Sequence, residues 1–101
     1  MREEERKSRE GRCYELAWKH ILRYEEGTLI HVELWSPELR KMIGHSLVET
    51  ETGYIYEPVV DSYFDKAWLY RTFKVKEIKS YTPTEASINA ARYGHFGPWG
   101  S

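Results

Sequence analysis

Residues 43–61 read IGHSLVETETGYIYEPVVD, and this stretch decides the fold. Two extended runs rich in β-branched and aromatic residues, Ile43–Thr50 and Tyr54–Asp61, flank a short polar segment that ends at Gly53. This pattern predicts a β-hairpin in which Gly53 takes the left-handed backbone conformation. Because Pro58 has no N–H to donate, its part of the second strand must lie at a sheet edge or in a bulge.

The segment before the hairpin predicts a helix and a strand. Residues 12–27 read RCYELAWKHILRYEEG, where apolar and aromatic side chains recur at the spacing of one helical face and Gly27 follows as a stop. We expect a helix of about 12 residues there. Thr28–Trp35 is rich in β-branched and apolar residues and ends before Ser36-Pro37, which predicts a strand. Residues 36–42 are expected to connect it to the hairpin, with one helical turn.

The second half of the chain predicts one more strand and one more helix. Residues 62–71 are interpreted as a short helix or an aromatic-rich loop, and Thr72–Tyr81 as the last strand. Thr82–Glu85 has the pattern of a capping box, and the helix that it starts should run to Tyr93, with Gly94 as its stop. The predicted fold class is therefore α+β, with an N-terminal cysteine helix packed on an antiparallel β-sheet and a C-terminal helix.

Length and composition predict one domain between a charged N-terminal segment and an apolar C-terminal segment. The chain has 101 residues, of which 41% are hydrophobic, enough for one core. Residues 1–11 are polar and of mixed charge, so we expect a mobile charged leader. Residues 12–94 form the single α+β domain. The apolar C-terminal tail, residues 95–101, either packs over the cleft or serves as a docking peptide for a partner.

Charge and cysteine content exclude several classes of protein. No run of residues is long and apolar enough to span a membrane, and a single cysteine cannot form an internal disulfide, so we expect a cytoplasmic protein. The net charge of -1 gives no field that would attract nucleic acid. The absence of Gln and the abundance of Glu, Lys, Arg and Tyr are typical of proteins selected for heat resistance, which suggests a thermophile.

Three residues could form a catalytic site. Cys13 falls in the first turn of the predicted helix, where unpaired N–H groups and the helix dipole stabilise a thiolate. A thiol nucleophile needs a base, and the base needs a third group to fix its tautomer. His45, on the first hairpin strand, and Asp61, at the end of the second, are the candidates for these roles.

The register of the hairpin decides whether Asp61 can reach His45. A three-residue loop opposes Thr50 to Tyr54 and His45 to Val59, so that Asp61 lies diagonally from His45 on the same face, about 7 to 8 Å away between Cα atoms. A two-residue loop would send Asp61 to the other face, because side chains alternate along a strand.

The chain also resembles a known superfamily. The segments GRCYELAW (11–18) and GHSLVETETGYIYEPVVD (44–61) resemble the cysteine helix and the His and Asp strands of small papain-like and transglutaminase-like proteins. The resemblance covers about half of the chain and implies the order Cys13, His45, Asp61. It implies a cysteine-dependent hydrolase or acyl transferase, a thiol-protease-like protein without cofactor, acting on an amide or peptide bond of a peptide or protein substrate.

Each of these residues also has a structural interpretation. Cys13 lies on the apolar face of its helix and could be a packed, inert thiol, while Asp61 could be a turn former. His31 is expected to be a satisfied polar residue, and Glu57 to face solvent. The scattered histidines lack the spacing of a metal site. The alternative function is a non-catalytic protein-interaction module on the same scaffold.

Overall fold

The computed structural model describes residues 2–100 as an α+β domain of four helices and five strands. In chain order the elements are α1 (Glu3–Arg9), α2 (Cys13–Tyr24), β1 (Thr28–Ser36), β2 (Lys41–Glu49), β3 (Tyr54–Glu57), β4 (Ser62–Asp65), α3 (Lys66–Thr72), β5 (Lys76–Tyr81) and α4 (Pro83–Tyr93). Within residues 2–100, no helix has the length and apolar character needed to cross a membrane.

The five strands form one antiparallel sheet in the order β4-β3-β2-β1-β5. Strand β2 is central, and β1 pairs with it along its whole length, from Thr28 opposite Glu49 to Ser36 opposite Lys41. Pairing between β2 and β3 is much shorter, because β3 ends at Glu57. The first half of β2 therefore continues beyond the end of its neighbour.

Helices cover the two faces of the sheet and divide the core in two. On one face, α2 and α4 pack their small and apolar side chains, such as Ala17 and Ala86, against Leu29 and Val48. On the other face, Leu69 of α3 packs against a second set of strand side chains: Ile30, Val32, Leu47 and Ile55. Alternate residues of each central strand thus enter different cores, as the two-residue period of a strand requires.

The sequence patterns predicted α2, β1, β2 and α4 to within about two residues, but β3 ends at Glu57, not at Asp61, and β5 begins at Lys76, not at Thr72. The cysteine helix is α2, and α4 has the predicted capping box, in which Thr82 accepts from the Glu85 N–H at 3.1 Å and the Glu85 carboxylate accepts from the Thr82 N–H at 2.9 Å. Strand β4 was not predicted. It has only four residues, and the chain enters α3 directly after it because Asp65 caps the helix by accepting from the Trp68 N–H at 2.9 Å.

Both ends of the described chain contact the domain. Residues of the predicted leader form α1, in which none of the described side chains is buried, yet Arg9 donates to the Pro58 carbonyl oxygen at 2.7 Å. In the tail, Trp99 is buried against Tyr81, with 5.0 Å between ring centroids, and Phe96 lies 4.9 Å from Trp18. The tail therefore completes the core beneath α2 and α4.

Candidate active site

Cys13 is the first residue of α2 and is buried. Arg12 precedes it at the N-cap position, and no side chain of residues 2–100 accepts a cap hydrogen bond there. The first-turn N–H groups are therefore not used by a capping side chain and remain available to stabilise a negative charge. The sequence pattern predicted this position for Cys13, in the first turn of the helix.

His45 lies on β2 at the point where β3 has already ended. Its neighbour on the other side is Val32 of β1. The hairpin has the predicted three-residue register, since Glu49 pairs with Ile55 and Val48 with Tyr56. Extending this register would oppose His45 to Val59, but the chain has left the sheet before that residue. The resulting gap in the sheet edge lets the N-terminus of α2 approach His45.

Glu57, the last residue of β3, supplies the carboxylate on His45. Its Oε1 forms a short hydrogen bond with His45 Nε2, and its Oε2 accepts from the Val60 N–H at 3.2 Å. The side chains of His45 and Glu57 are only 11% and 14% exposed. The prediction that Glu57 faces solvent is therefore wrong: the backbone of the following turn and the imidazole hold its carboxylate in place.

The pKa of His45 reflects two opposing effects. Burial disfavours the charged imidazolium and lowers this pKa, but hydrogen bonds with the Cys13 and Glu57 side chains outweigh burial and raise it to about 9. Because Nε2 bonds Glu57, the nitrogen left for the thiol is Nδ1. The imidazole therefore has the Glu57 carboxylate as its hydrogen-bond partner, and the Cys13 side chain acts on its pKa as well.

The structure places Glu57, and not Asp61, on His45. Asp61 accepts from the Tyr56 hydroxyl at 2.6 Å and lies 3.6 Å from the Arg9 guanidinium. In the predicted register Glu57 and Asp61 are both diagonal neighbours of His45, so the register alone did not distinguish them. Pro58 does, because it cannot continue the ladder: the chain turns there, and Asp61 follows the turn with a positive φ of 53°.

His31 and His20 have other partners than His45 has. His31 is buried among aromatic rings, and its Nε2 has no partner in the described part of the chain, so the prediction of a satisfied polar residue is wrong. His20 shares a hydrogen bond of 2.8 Å with the Tyr63 hydroxyl. No three His, Cys, Asp or Glu side chains within residues 2–100 cluster closely enough to hold a metal ion.

Neither of the two main surface pockets contains the Cys13 and His45 side chains. One, of about 440 Å³, lies beside the C-terminal half of α2, and the other, of about 430 Å³, lies between α2, α4 and the tail. The site around Cys13 is instead closed, since the thiol and the imidazole are both buried.

Comparisons with known proteins add no further assignment: no family model matches the chain, and no curated protein or solved structure is significantly similar to it.

Proposed function

We propose that this protein is a cysteine-dependent hydrolase or acyl transferase that acts on an amide or peptide bond, on a papain-like or transglutaminase-like scaffold. The observation that carries the proposal is the position of His45, which hydrogen-bonds the Glu57 carboxylate and whose pKa is raised by both Glu57 and the Cys13 side chain. A nucleophile, a base and a group that orients the base are the parts that acyl transfer requires.

The roles follow from the contacts. Cys13 Sγ attacks the carbonyl carbon while its proton is held by His45, and the backbone N–H of Cys13 at the helix start donates to the developing oxyanion. His45 then gives the proton to the leaving amine as the C–N bond breaks, which leaves a thioacyl group on Cys13. Water or a second amine, deprotonated by His45, attacks this group and restores the thiol. Glu57 fixes the orientation of the imidazole and stabilises its charged form.

Helix α1 precedes Cys13 in the chain and is attached to the turn after β3 by polar contacts, and we infer that its detachment gives access to the buried thiol. Arg9 joins these two segments through the Pro58 carbonyl oxygen and the Tyr56 hydroxyl, at 2.7 and 3.1 Å, and Arg6 lies 3.5 Å from Glu38 in the turn between β1 and β2. Helix α1 buries none of its described side chains, so these polar contacts are what attach it. Surface ion pairs of this kind are worth about 0 to 1 kcal/mol each, which permits opening.

Acylation by p-nitrophenyl acetate tests the proposal. We expect intact-mass measurement to find one acetyl group on Cys13, and p-nitrophenol release to continue beyond one equivalent as the thioester is hydrolysed. Cys13→Ser should remove the adduct, and His45→Ala should reduce the rate of acylation by about 100-fold or more, the usual contribution of a general base.

An adduct-free Cys13 in the folded protein, or equal acylation of wild type and His45→Ala, would contradict the proposal. Either result would favour the second candidate, a non-catalytic interaction module. The matched control is His31→Gln, because His31 is equally buried on the neighbouring strand but has no contact with the Glu57 carboxylate.

A further inference from the structure

The pocket beside the C-terminal half of α2 has the chemistry of a cation site. Its volume is about 440 Å³, within the range of small-molecule sites. Three tyrosine side chains line it, Tyr24, Tyr54 and Tyr63, and each is about half exposed. Large aromatic rings that line one pocket and stay accessible to solvent are available to a ligand, and the π faces of such rings attract cations.

The electrostatics of the pocket favour positive charge. Glu26 is part of the lining, and among the described lining residues there is no lysine or arginine. The Asp61 carboxylate acts on the same region: burial is the main cause that raises the pKa of Tyr63, and Asp61 adds to it, while at His20 Asp61 opposes burial and Arg23 acts with burial. Burial lowers the pKa of His20, so that this ring is neutral near pH 7 and adds no repulsion.

The wall of the pocket is held in place by contacts among its own rings. His20 stacks on Tyr56 at 3.9 Å, lies 4.7 Å from Tyr24, and shares a hydrogen bond of 2.8 Å with the Tyr63 hydroxyl. One of these rings already accepts a cation within the chain, because the Arg23 guanidinium lies 5.5 Å from the centroid of Tyr24. The site is thus formed before a ligand arrives, which reduces the entropy lost on binding.

We propose that this pocket binds an organic cation with a trimethylammonium-type head group. Such a group has no N–H to donate and is recognised by aromatic faces together with a nearby carboxylate, which is what the tyrosines and Glu26 provide. The pocket does not include Cys13 or His45, so the proposal is independent of the cysteine chemistry.

Titration of the full chain with choline, followed by amide chemical shifts, tests this site. The neutral isostere 3,3-dimethyl-1-butanol has the same shape without the charge. We expect choline to shift residues around His20 and Tyr54 and to bind about 10-fold or more tightly than the alcohol, because only the charged head group is attracted by the aromatic rings and Glu26. Equal binding of the two ligands, or shifts elsewhere in the chain, would overturn the proposal.

Variants separate the aromatic faces from general surface effects. Tyr54→Leu should weaken choline binding by about 2- to 5-fold, whereas Tyr54→Phe, which keeps the ring, should retain it. Tyr93→Leu is the matched control, since Tyr93 is an exposed tyrosine outside the pocket. The assignment would be contradicted if both Tyr54→Leu and Tyr93→Leu lost binding, or if neither variant did. A trimethyl-lysine peptide that binds more tightly than choline would indicate a protein as the source of the cation, and the reverse order a free small molecule.

Discussion

His31 and His45 lie on neighbouring strands and are both buried, yet their environments have opposite effects on the imidazole. Burial lowers the pKa of His31 to about 4, whereas the hydrogen bonds of His45 with Cys13 and Glu57 outweigh burial and raise its pKa to about 9. Register explains their separation: His31 pairs with Ser46 and His45 with Val32, so the two rings project from opposite faces of the sheet.

The difference shows what converts a buried histidine into a candidate base. His31 is surrounded by aromatic rings, with Tyr14, Tyr81 and Trp99 centred 4.9, 5.0 and 5.2 Å away, and its Nε2 has no partner among residues 2–100. His45 is buried to a similar degree but has a carboxylate on one nitrogen. Burial alone makes a neutral packing residue, and a fixed acceptor makes a ring that holds a proton.

Removing the carboxylate should have the largest effect on stability. We expect Glu57→Leu to lower the free energy of unfolding by about 3 kcal/mol or more, because the buried imidazole loses its partner. Glu49→Leu is the matched control: its carboxylate is 3.1 Å from Lys66 in a more exposed pair, worth about 1 kcal/mol or less. Urea unfolding at pH 7 measures both, and equal losses would contradict the special position of Glu57.

The two pKa shifts predict a stability maximum near pH 6.5. The folded pKa of His45 is raised, so its contribution is fully present below pH 6.5 and is lost as pH rises through about 9, a fall of about 3 kcal/mol. The folded pKa of His31 is lowered, so its contribution is lost as pH falls from 6.5 towards 4. Urea unfolding between pH 4 and pH 10 measures both limbs. His45→Gln should remove the alkaline fall, and a fall that persists in this variant would assign it to other groups.

His31→Phe should flatten the acid limb alone. Phenylalanine keeps an aromatic ring among Tyr14, Tyr81 and Trp99 but cannot take up a proton in the unfolded chain. We expect the loss of stability between pH 7 and pH 5 to become smaller by about 2 kcal/mol, whatever constant change the larger ring causes. An unchanged slope between these two pH values would mean that His31 does not resist protonation.

Asp61→Asn should have the smallest effect. The amide oxygen can still accept from the Tyr56 hydroxyl, and the contact with Arg9 lies at the surface, so we expect a loss of about 1 kcal/mol or less. The titration of His45, followed by the NMR signals of its ring, should not move. A clear fall in the pKa of His45 in this variant would return Asp61 to the role that the sequence suggested.

Local patterns in the sequence predicted α2, β1, the hairpin register and α4, because each depends on residues close together in the chain. Strand β4 has only four residues, too few for a pattern that distinguishes it from a loop. Cys13 and His45 were also named from the sequence as candidate catalytic residues. Glu57 was not, because its role depends on where β3 ends. Pro58 was the available signal: it marked the end of the ladder and so favoured the carboxylate before it over the one after the turn.

The pH profile of alkylation at Cys13 tests the central claim most directly, that His45 is coupled to the thiol and oriented by Glu57. Iodoacetamide addition is followed by intact mass in wild type, Glu57→Gln and Asp61→Asn, with one cysteine in the chain and hence one site. We expect wild type and Asp61→Asn to be alkylated readily at neutral pH and Glu57→Gln more slowly, because the imidazole that would take the thiol proton has lost its carboxylate. A thiol that stays unmodified in the folded protein, or one profile common to all three proteins, would contradict the account.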